Sequence, residues 1–462
     1  MEQPPYGSGL HFVLSTPSHP LDKKDHRFVR SHAKRASKRR CAPLTIKSTL
    51  WPDHQLKIFH PPTEGTQVPS PLGSYLSGLR VPAGFEISSI QDILKLVEAD
   101  IDGMYLHEVV FHTHPVERGW FPYMMSDECC LHSLLFSCGV LEATSSQAGL
   151  SQRACFHYGQ TLRLLQARLD DPREVHAISD ATIMVVLFLA SIAHATNEHA
   201  TAENHIRGME KMLQLRGGLQ SLSPHLNMQV KVCRADLSHA IFSGTRPLLS
   251  PSQLSRDCLG ADLQAVKCQH HKCHLEYWSF LRTSIPPYLR SAMNDLHAFS
   301  CMINIASQAS RKIRPETYND IMISILYRLM SINYDCNDMQ EAIRLGMVCY
   351  CTTIFMQYRR VKHQYRQLYH TFNESVQKLW RDGRQLPTPL ALWLAVLPDV
   401  AVRDEIVMPE WRCKWLVEVL LVSGVGTWME AREMLGTVAW VGFMHDKAGG
   451  RVFDSIHTVV KR

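Results

Sequence analysis

The sequence predicts an all-α protein: a large multi-helix domain, built as an irregular array of paired helices, behind a flexible basic N-terminal arm. Three observations carry this. Apolar residues recur at helical spacing from about residue 86 to the C-terminus, which gathers them on one face of each 3.6-residue turn. No run alternates apolar and polar residues as a half-buried strand does. No repeat of 20–50 residues stands out, so the array is irregular rather than a regular solenoid. At 462 residues, with 45% hydrophobic and 20% charged side chains, the chain has a globular balance and can bury a large core.

Charge separates the arm from the body. Residues 1–60 hold eleven Lys/Arg against four Asp/Glu, while the remainder holds thirty-eight against thirty-nine. A tail carrying all the net positive charge points to an acidic partner or an import receptor. The arm is residues 1–41. It is rich in Pro, Ser and Gly up to residue 22, then reads DKKDHRFVRSHAKRASKRR over 22–40. Pro20 precedes that stretch, and Asp22 or Asp25 can cap a short helix there. Phe28, Val29, His32 and Ala36 make only a thin apolar side, too little to hold such a helix alone. Residues 42–85 hold seven prolines and no sustained period; they read as a linker with Trp51, Phe59 and Tyr75 as anchors.

Residues 86–462 form the helical domain. Residues 89–111 place Ile90, Ile93, Leu94, Val97, Ile101 and Met104 on one stripe. Residues 129–141 are apolar almost all round. Residues 154–169 are amphipathic and stop at Asp170-Asp171-Pro172. Ser179 or Asp180 caps a buried helix that ends at Ala195. Residues 228–242 end at Gly244 with Pro247 beyond. Residues 263–281, 286–308 and 315–333 are helix-like. Residues 341–358 carry Ile343, Met347, Tyr350, Ile354 and Tyr358 on one stripe and are apolar on the other faces too, which predicts a central helix. Residues 371–381, 389–397, 409–421 and 427–440 complete the set.

The domain is organised around residues 203–219, ENHIRGMEKMLQLRGGL. Ile206, Met209 and Leu213 share one face, widened by Met212. Arg216 falls in the last turn, where a cation suits the helix dipole. Gly217 and Gly218 supply the left-handed residue that ends a helix, and Leu219 can fold back onto the last turn.

Fourteen cysteines in a chain of this length are not a disulfide framework. The first ten residues show no apolar signal segment. An intracellular, reducing compartment follows, with most thiols as small buried hydrophobes; Cys129-Cys130 and Cys349-x-Cys351 read as core. The most apolar run, residues 181–195, is shorter than the roughly 20 residues of a bilayer span and contains Ser191 and His194. It reads as a core helix, and no membrane partner is expected.

The phrase His205-x-x-Gly208, then Leu213-x-Leu215-Arg216-Gly217-Gly218, resembles the helical regulatory domain of fungal-specific transcription factors. Other anchors follow in that family's order: Trp120-Phe121-Pro122 before residues 129–140, residues 156–169 before Asp180-Ala181-Thr182, Asp236-x(3)-Ala240 with Gly244-x-Arg246-Pro247, EAIRLG at 341–346 with Arg344, and tryptophan boxes at Leu392-Trp393-Leu394, Trp411-Arg412 and residues 428–435. The resemblance covers roughly residues 86–460. His205, Gly208, Leu215, Arg216, Gly217, Gly218, Asp236 and Arg344 are the residues it marks as structural. One departure is plain. The family's zinc binuclear cluster needs six thiolates in two Cys-x2-Cys-x6-Cys halves, whereas here Cys41 is first and Cys129 next. The arm, with Arg30-Ser31-His32-Ala33-Lys34-Arg35, resembles a fungal subgroup that keeps the helical domain without the cluster.

Candidate site residues on the arm are Arg30, Lys34, Arg35, Lys38, Arg39 and Arg40. Such a basic run serves as a nuclear localisation signal, contacts phosphate, or is a solvated tail. Cys268 and Cys273, with His270, His271 and His274, supply only half of a zinc ligand pattern; they read as a solvent-facing cluster, and His107, His112 and His114 as side chains near a helix end. No metal and no cofactor are expected. Glycine-rich nucleotide loops, the Gly-x-Ser-x-Gly elbow and His-Glu-x-x-His are absent from the sequence, and no catalytic acid–base pair can be nominated. Ser423-Gly424-Val425-Gly426 is a turn between helices.

The resemblance implies a nuclear transcription-regulator-like protein, not an enzyme. It would work with other transcription proteins, with DNA reached through the basic arm, as a homo- or hetero-oligomer, and by family analogy on genes of a fungal biosynthetic pathway. Two other readings stand beside it: an interaction protein without DNA binding that modulates a separate factor, and an uncatalogued helical enzyme.

Overall fold

The structure, a computed structural model, describes residues 66–67, 80–111, 120–146, 148–171, 176–222, 228–249, 274–335, 338–356, 365–401 and 408–460. The chain divides into a unit of Met1–His60, which lies outside the described residues, and a unit of Pro61–Arg462. The arm's basic residues and the linker aromatics Trp51, Phe59 and Tyr75 are likewise outside them.

The second unit is helical. Two short strands, β1 (Thr66–Gln67) and β2 (Arg80–Val81), pair antiparallel with Thr66 opposite Val81. They fall in the stretch read as a linker; two residues per strand leave no alternation for a sequence pattern to show. The helices are α1 (Ile87–Met104), α2 (Trp120–Met125), α3 (Glu128–Ser146), α4 (Gln152–Leu169), α5 (Asp180–Ala195), α6 (His199–Arg216), α7 (Met228–Ser243), α8 (Leu275–Ser284), α9 (Pro287–Gln308), α10 (Pro315–Ser331), α11 (Met339–Phe355), α12 (Arg366–Arg381), α13 (Thr388–Ala401), α14 (Glu410–Ser423), α15 (Trp428–Val438) and α16 (Gly442–Val460). Successive helices pack as pairs: α3 on α4, α5 on α6, α11 on α12 and α13 on α14. Buried side chains from Val81 to Ile456 form one hydrophobic cluster.

Local chemistry explains most boundaries. Ser179 caps α5, accepting from the Thr182 N–H at 3.3 Å, which satisfies one of the free amides at a helix start. Thr427 and Glu430 form a reciprocal capping box at the start of α15. The end of α6 is a Schellman closure: the Gly218 amide donates to Leu213 O at 2.8 Å and the Gly217 amide to Gln214 O at 3.1 Å. Both glycines hold positive φ, 95° and 97°, a region that costs a residue with Cβ about 1–2 kcal/mol. Ile206, Met209, Met212 and Leu213 are buried as their spacing predicts.

Two helices organise the rest. Every residue of α11 from Glu341 to Phe355 is buried, as expected of a segment apolar on all faces. It packs against α9, α10, α12 and α13. Gly346 allows the approach: a Cβ there would stand 3.0 Å from Leu394 and Trp393. The second hub is α7, which meets α5 and α6 on one side and α10 and α12 on another.

Some ends differ from the spacing-based expectation. The stripe from residue 89 stops at Met104 instead of 111. Beyond it Phe111 N–H donates to Ile313 O at 2.9 Å and Ile313 N–H to Val109 O at 2.6 Å, so these backbone groups serve a parallel bridge and are not free to continue a helix. Helix α13 runs on to Ala401 through Pro398; a proline this near the end disturbs only the last turns. Helix α16 falls within the domain expected to be helical over residues 86–462 but was not among the segments named there; its Gly449-Gly450 pair is low in helix propensity. In the fold Gly449 is where the rings of Trp428 and Trp440 approach; a Cβ would lie 2.6 and 2.7 Å from them. Among the described residues, no helix is long and apolar enough to cross a membrane.

Candidate functional site

Arg216, Asp236 and Arg344 are tie points of the helical array. Arg216, at the end of α6, donates to Asp180 at the start of α5, and to the carbonyls of Ile178 and Ser221. The last-turn cation therefore has a specific partner in addition to the helix dipole. On α7, the Asp236 carboxylate accepts the amides of Leu248 at 2.8 Å and Leu249 at 3.1 Å, and the Tyr327 hydroxyl at 2.8 Å. It thus folds the chain after Arg246-Pro247 back along its own helix and fastens both to α10. Burial pushes its carboxyl up to about 6, against the pull of those three donors. On α11, Arg344 grips Glu341 with Nε at 2.7 Å and Nη2 at 2.6 Å, and gives Nη1 to Leu329 O at 3.1 Å. Asp236 and Arg344 thus hold α10 at positions two residues apart.

The tryptophan boxes act in the same way. Trp393 Nε1–H donates to Ala439 O at 2.8 Å, and Arg412 reaches Asp399 at 2.5 Å. Three marked residues take no such part. His205 is half-buried, with its imidazole pKa lowered by burial. A Cβ on Gly208 would meet nothing, and Leu215 is 61% exposed.

One buried residue was not marked by any motif. Arg234 on α7 is 3% exposed. Its Nη2 donates to Phe355 O at 2.7 Å and its Nη1 meets Met322 Sδ at 2.9 Å, while its Nε has no partner. No described carboxylate pairs with it. Asp236 is only two positions away, but residues i and i+2 face nearly opposite sides of a helix. A guanidinium keeps its charge inside a protein, and an unpaired buried charge is costly.

Arg234 belongs to the wall of a half-open cavity of about 210 Å³ lined by α1, α3, α5 and α7, with Ile206 of α6. Leu134, Met184, Leu187 and Ile206 make a buried apolar interior, and Thr144 and Ser191 lie exposed at the wall. Lys231, one turn from Arg234 on α7, and His194 are also in the wall; no Asp or Glu is. An apolar chamber with a few convergent polar groups is the usual form of a small-molecule site.

Elsewhere, buried histidines are structural. His445 takes the Val441 N–H on Nδ1 at 3.2 Å, so its Nε2–H donates to Thr353 Oγ1 at 2.9 Å. Burial lowers its pKa to about 3. His132 and His157 share a contact between Nδ1 atoms at 2.8 Å, and His157 is pushed down to about 4 by burial, then by His132. Cys129, Cys130, Cys349 and Cys351 are buried free thiols, each pushed upward by burial. Among the described residues no group of three or more His, Cys, Asp or Glu side chains could hold a metal ion. Cys268, Cys273, His270, His271, His112 and His114 lie outside them.

Residues 114–284 match the family model described as the fungal specific transcription factor domain. That span takes in α2 to α8, and so Arg216, Asp236, Arg234 and most of the cavity wall. No curated protein and no solved structure matches the chain.

Proposed function

The chain carries a fungal-specific transcription factor domain, and from that premise we propose that it is a nuclear transcription-regulator-like protein, a regulator rather than an enzyme. The domain, in which Arg216, Asp236 and Arg344 are spent on holding helices together, presents its outer surface to other transcription proteins. The basic arm gives nuclear entry and phosphate contact with DNA. Genes of a fungal biosynthetic pathway are the targets that family likeness suggests. The domain match is the observation that carries the reading.

A second reading is favoured by the cysteine spacing. With no cysteine between Cys41 and Cys129, these residues offer no binuclear zinc cluster, and the helical domain would then modulate a separate DNA-binding factor. Two measurements test both. The full chain is fused to an unrelated DNA-binding domain and its effect on a reporter is read. The unfused chain is titrated with duplex DNA at two salt concentrations. Reporter modulation together with DNA affinity that falls steeply with salt supports the first reading. Modulation without DNA binding supports the second. An inert fusion overturns both.

A further inference from the structure

We propose that the half-open chamber lined by α1, α3, α5 and α7 binds an uncharged, compact hydrocarbon that carries one hydroxyl group, and that Ser238 on α7 receives that hydroxyl. The inference rests on the chamber itself and not on the regulatory reading. Ser137, Thr144, Ser191 and Ser238 all stand in the wall. Three of them are satisfied within their own helices: Ser137 Oγ donates to Ser133 O at 2.9 Å, Thr144 Oγ1 to Val140 O at 2.8 Å and Ser191 Oγ to Leu187 O at 2.9 Å. Ser238 differs. It is 8% exposed, and its side-chain oxygen has no hydrogen-bond partner among the described residues. A helical serine ordinarily turns its proton to the carbonyl four residues back, as Ser243 of the same helix does to His239 O at 2.8 Å. A buried hydroxyl left unpaired carries a desolvation cost that nothing offsets. A ligand hydroxyl supplies what is missing, since it can both donate to the Ser238 oxygen and accept from its O–H.

The rest of the lining sets the body. Leu134, Met184, Leu187 and Ile206 are buried and apolar, so burial of hydrocarbon drives entry. The volume of about 210 Å³ exceeds the roughly 150 Å³ of an apolar cavity that takes benzene, which fits a body of about ten carbons such as a fused pair of rings. Arg234 adds no recognition of charge: its guanidinium is engaged by Phe355 O and Met322 Sδ, outside the lining. A charged head would lose its water in so apolar an interior.

The test uses the full chain and three probes on one ring pair: 2-naphthol, 2-methylnaphthalene and 2-naphthoate. Binding is read by calorimetry and by the rise in melting temperature that a native-state ligand produces. 2-Naphthol is expected to saturate at one per chain and to bind more tightly than 2-naphthoate, which Lys231 in the wall would favour were charge decisive. Ser238→Ala is the deciding variant. It should weaken 2-naphthol by roughly three- to tenfold, the range of one neutral hydrogen bond, and leave 2-methylnaphthalene unchanged. It should not lower the melting temperature of the free chain, because the hydroxyl it removes is unpaired. Ser137→Ala, whose hydroxyl is already spent on its own helix, should leave 2-naphthol affinity unchanged. Ala235→Phe puts a ring into the chamber from a half-buried wall position and should abolish binding of both neutral probes; the Ser238→Ala comparison decides the matter where that larger change fails to fold. No saturable binding, unchanged 2-naphthol affinity in Ser238→Ala, tighter binding of 2-naphthoate than of 2-naphthol, or unchanged affinity in folded Ala235→Phe would each overturn the proposal. The reporter assay is independent of these readouts, so loss of the ligand site leaves the regulatory reading standing.

Discussion

Arg216 Nη1 donates to Asp180 Oδ1 at 2.5 Å, closing the end of α6 onto the beginning of α5. The carboxylate side chain is 3% exposed and the guanidinium side chain 17%. The same guanidinium holds Ile178 O at 3.1 Å and Ser221 O at 2.9 Å. One side chain therefore fixes the approach to α5, its first residue and the turn that follows α6.

Breaking this clasp leaves a buried charge behind. Arg216→Met or Asp180→Asn alone is expected to cost roughly 3 kcal/mol, whereas the double variant should cost well below the sum. Denaturant midpoints across the cycle measure the coupling. Simple additivity would show that the two groups act independently.

Gly449 and Gly450 are neighbours in α16 with opposite expected responses. A Cβ on Gly449 would stand 2.6 Å from the Trp428 ring, and one on Gly450 3.8 Å from it. Gly449→Ala should destabilise by about 1–3 kcal/mol through overpacking. Gly450→Ala should stabilise by up to about 1 kcal/mol, because it removes a glycine from a helix interior without a clash. Melting temperatures of the two variants check the contrast.

His445 contributes a pH dependence of known sign. Its folded pKa is about 3, below the unfolded value of about 6.5. Between those limits the unfolded chain binds the extra proton, so this contribution is complete above about pH 6.5 and is lost as pH falls towards 3. His445→Asn should therefore be destabilising at pH 7, and its difference from wild type should shrink by a few kcal/mol by pH 4, at about 1.4 kcal/mol per tenfold change in proton affinity. Stability of the pair is measured at both pH values. A constant difference would remove His445 from the acid response.

The arm makes a separable prediction. Replacing Lys34, Arg35, Lys38, Arg39 and Arg40 by alanine should abolish nuclear accumulation and leave the melting temperature unchanged, because the segment offers little apolar surface to pack. Any DNA affinity should weaken uniformly across sequences, since a run of lysines and arginines contacts phosphates and not base edges. Unchanged localisation would end the targeting role; a large fall in melting temperature would show that the arm packs on the body.

Legibility in the sequence followed the range of the physics. Helix α5 was found at its observed ends because its cap and its apolar run are both local. Ile206, Met209 and Leu213 were found buried for the same reason. Helix α16 was not singled out, because what Gly449 does lies in rings from α15 and its neighbour Trp440, not in its own helix. Arg216 was placed correctly in a last turn, but its partner is 36 residues earlier. Asp236 and Arg344 stood out only by resemblance; what they hold, Tyr327 and Leu329, is set by how α10 packs. Arg234 carried no signal, since one arginine in a helix pattern reads as exposed, and the cavity beside it exists only where four helices meet.

The ties of α7 also bear on heredity. Asp236 depends on the hydroxyl of Tyr327, and Arg234 on the carbonyl of Phe355, 121 residues later; Trp393 in turn depends on Ala439. A stop codon placed late in the reading frame is therefore not a mild lesion. It strands buried polar groups synthesised long before it, and such alleles are expected to behave as complete losses rather than as shortened regulators. Domain shuffling meets the same obstacle, because a crossover between α7 and α11 separates partners that only a co-inherited pair can supply.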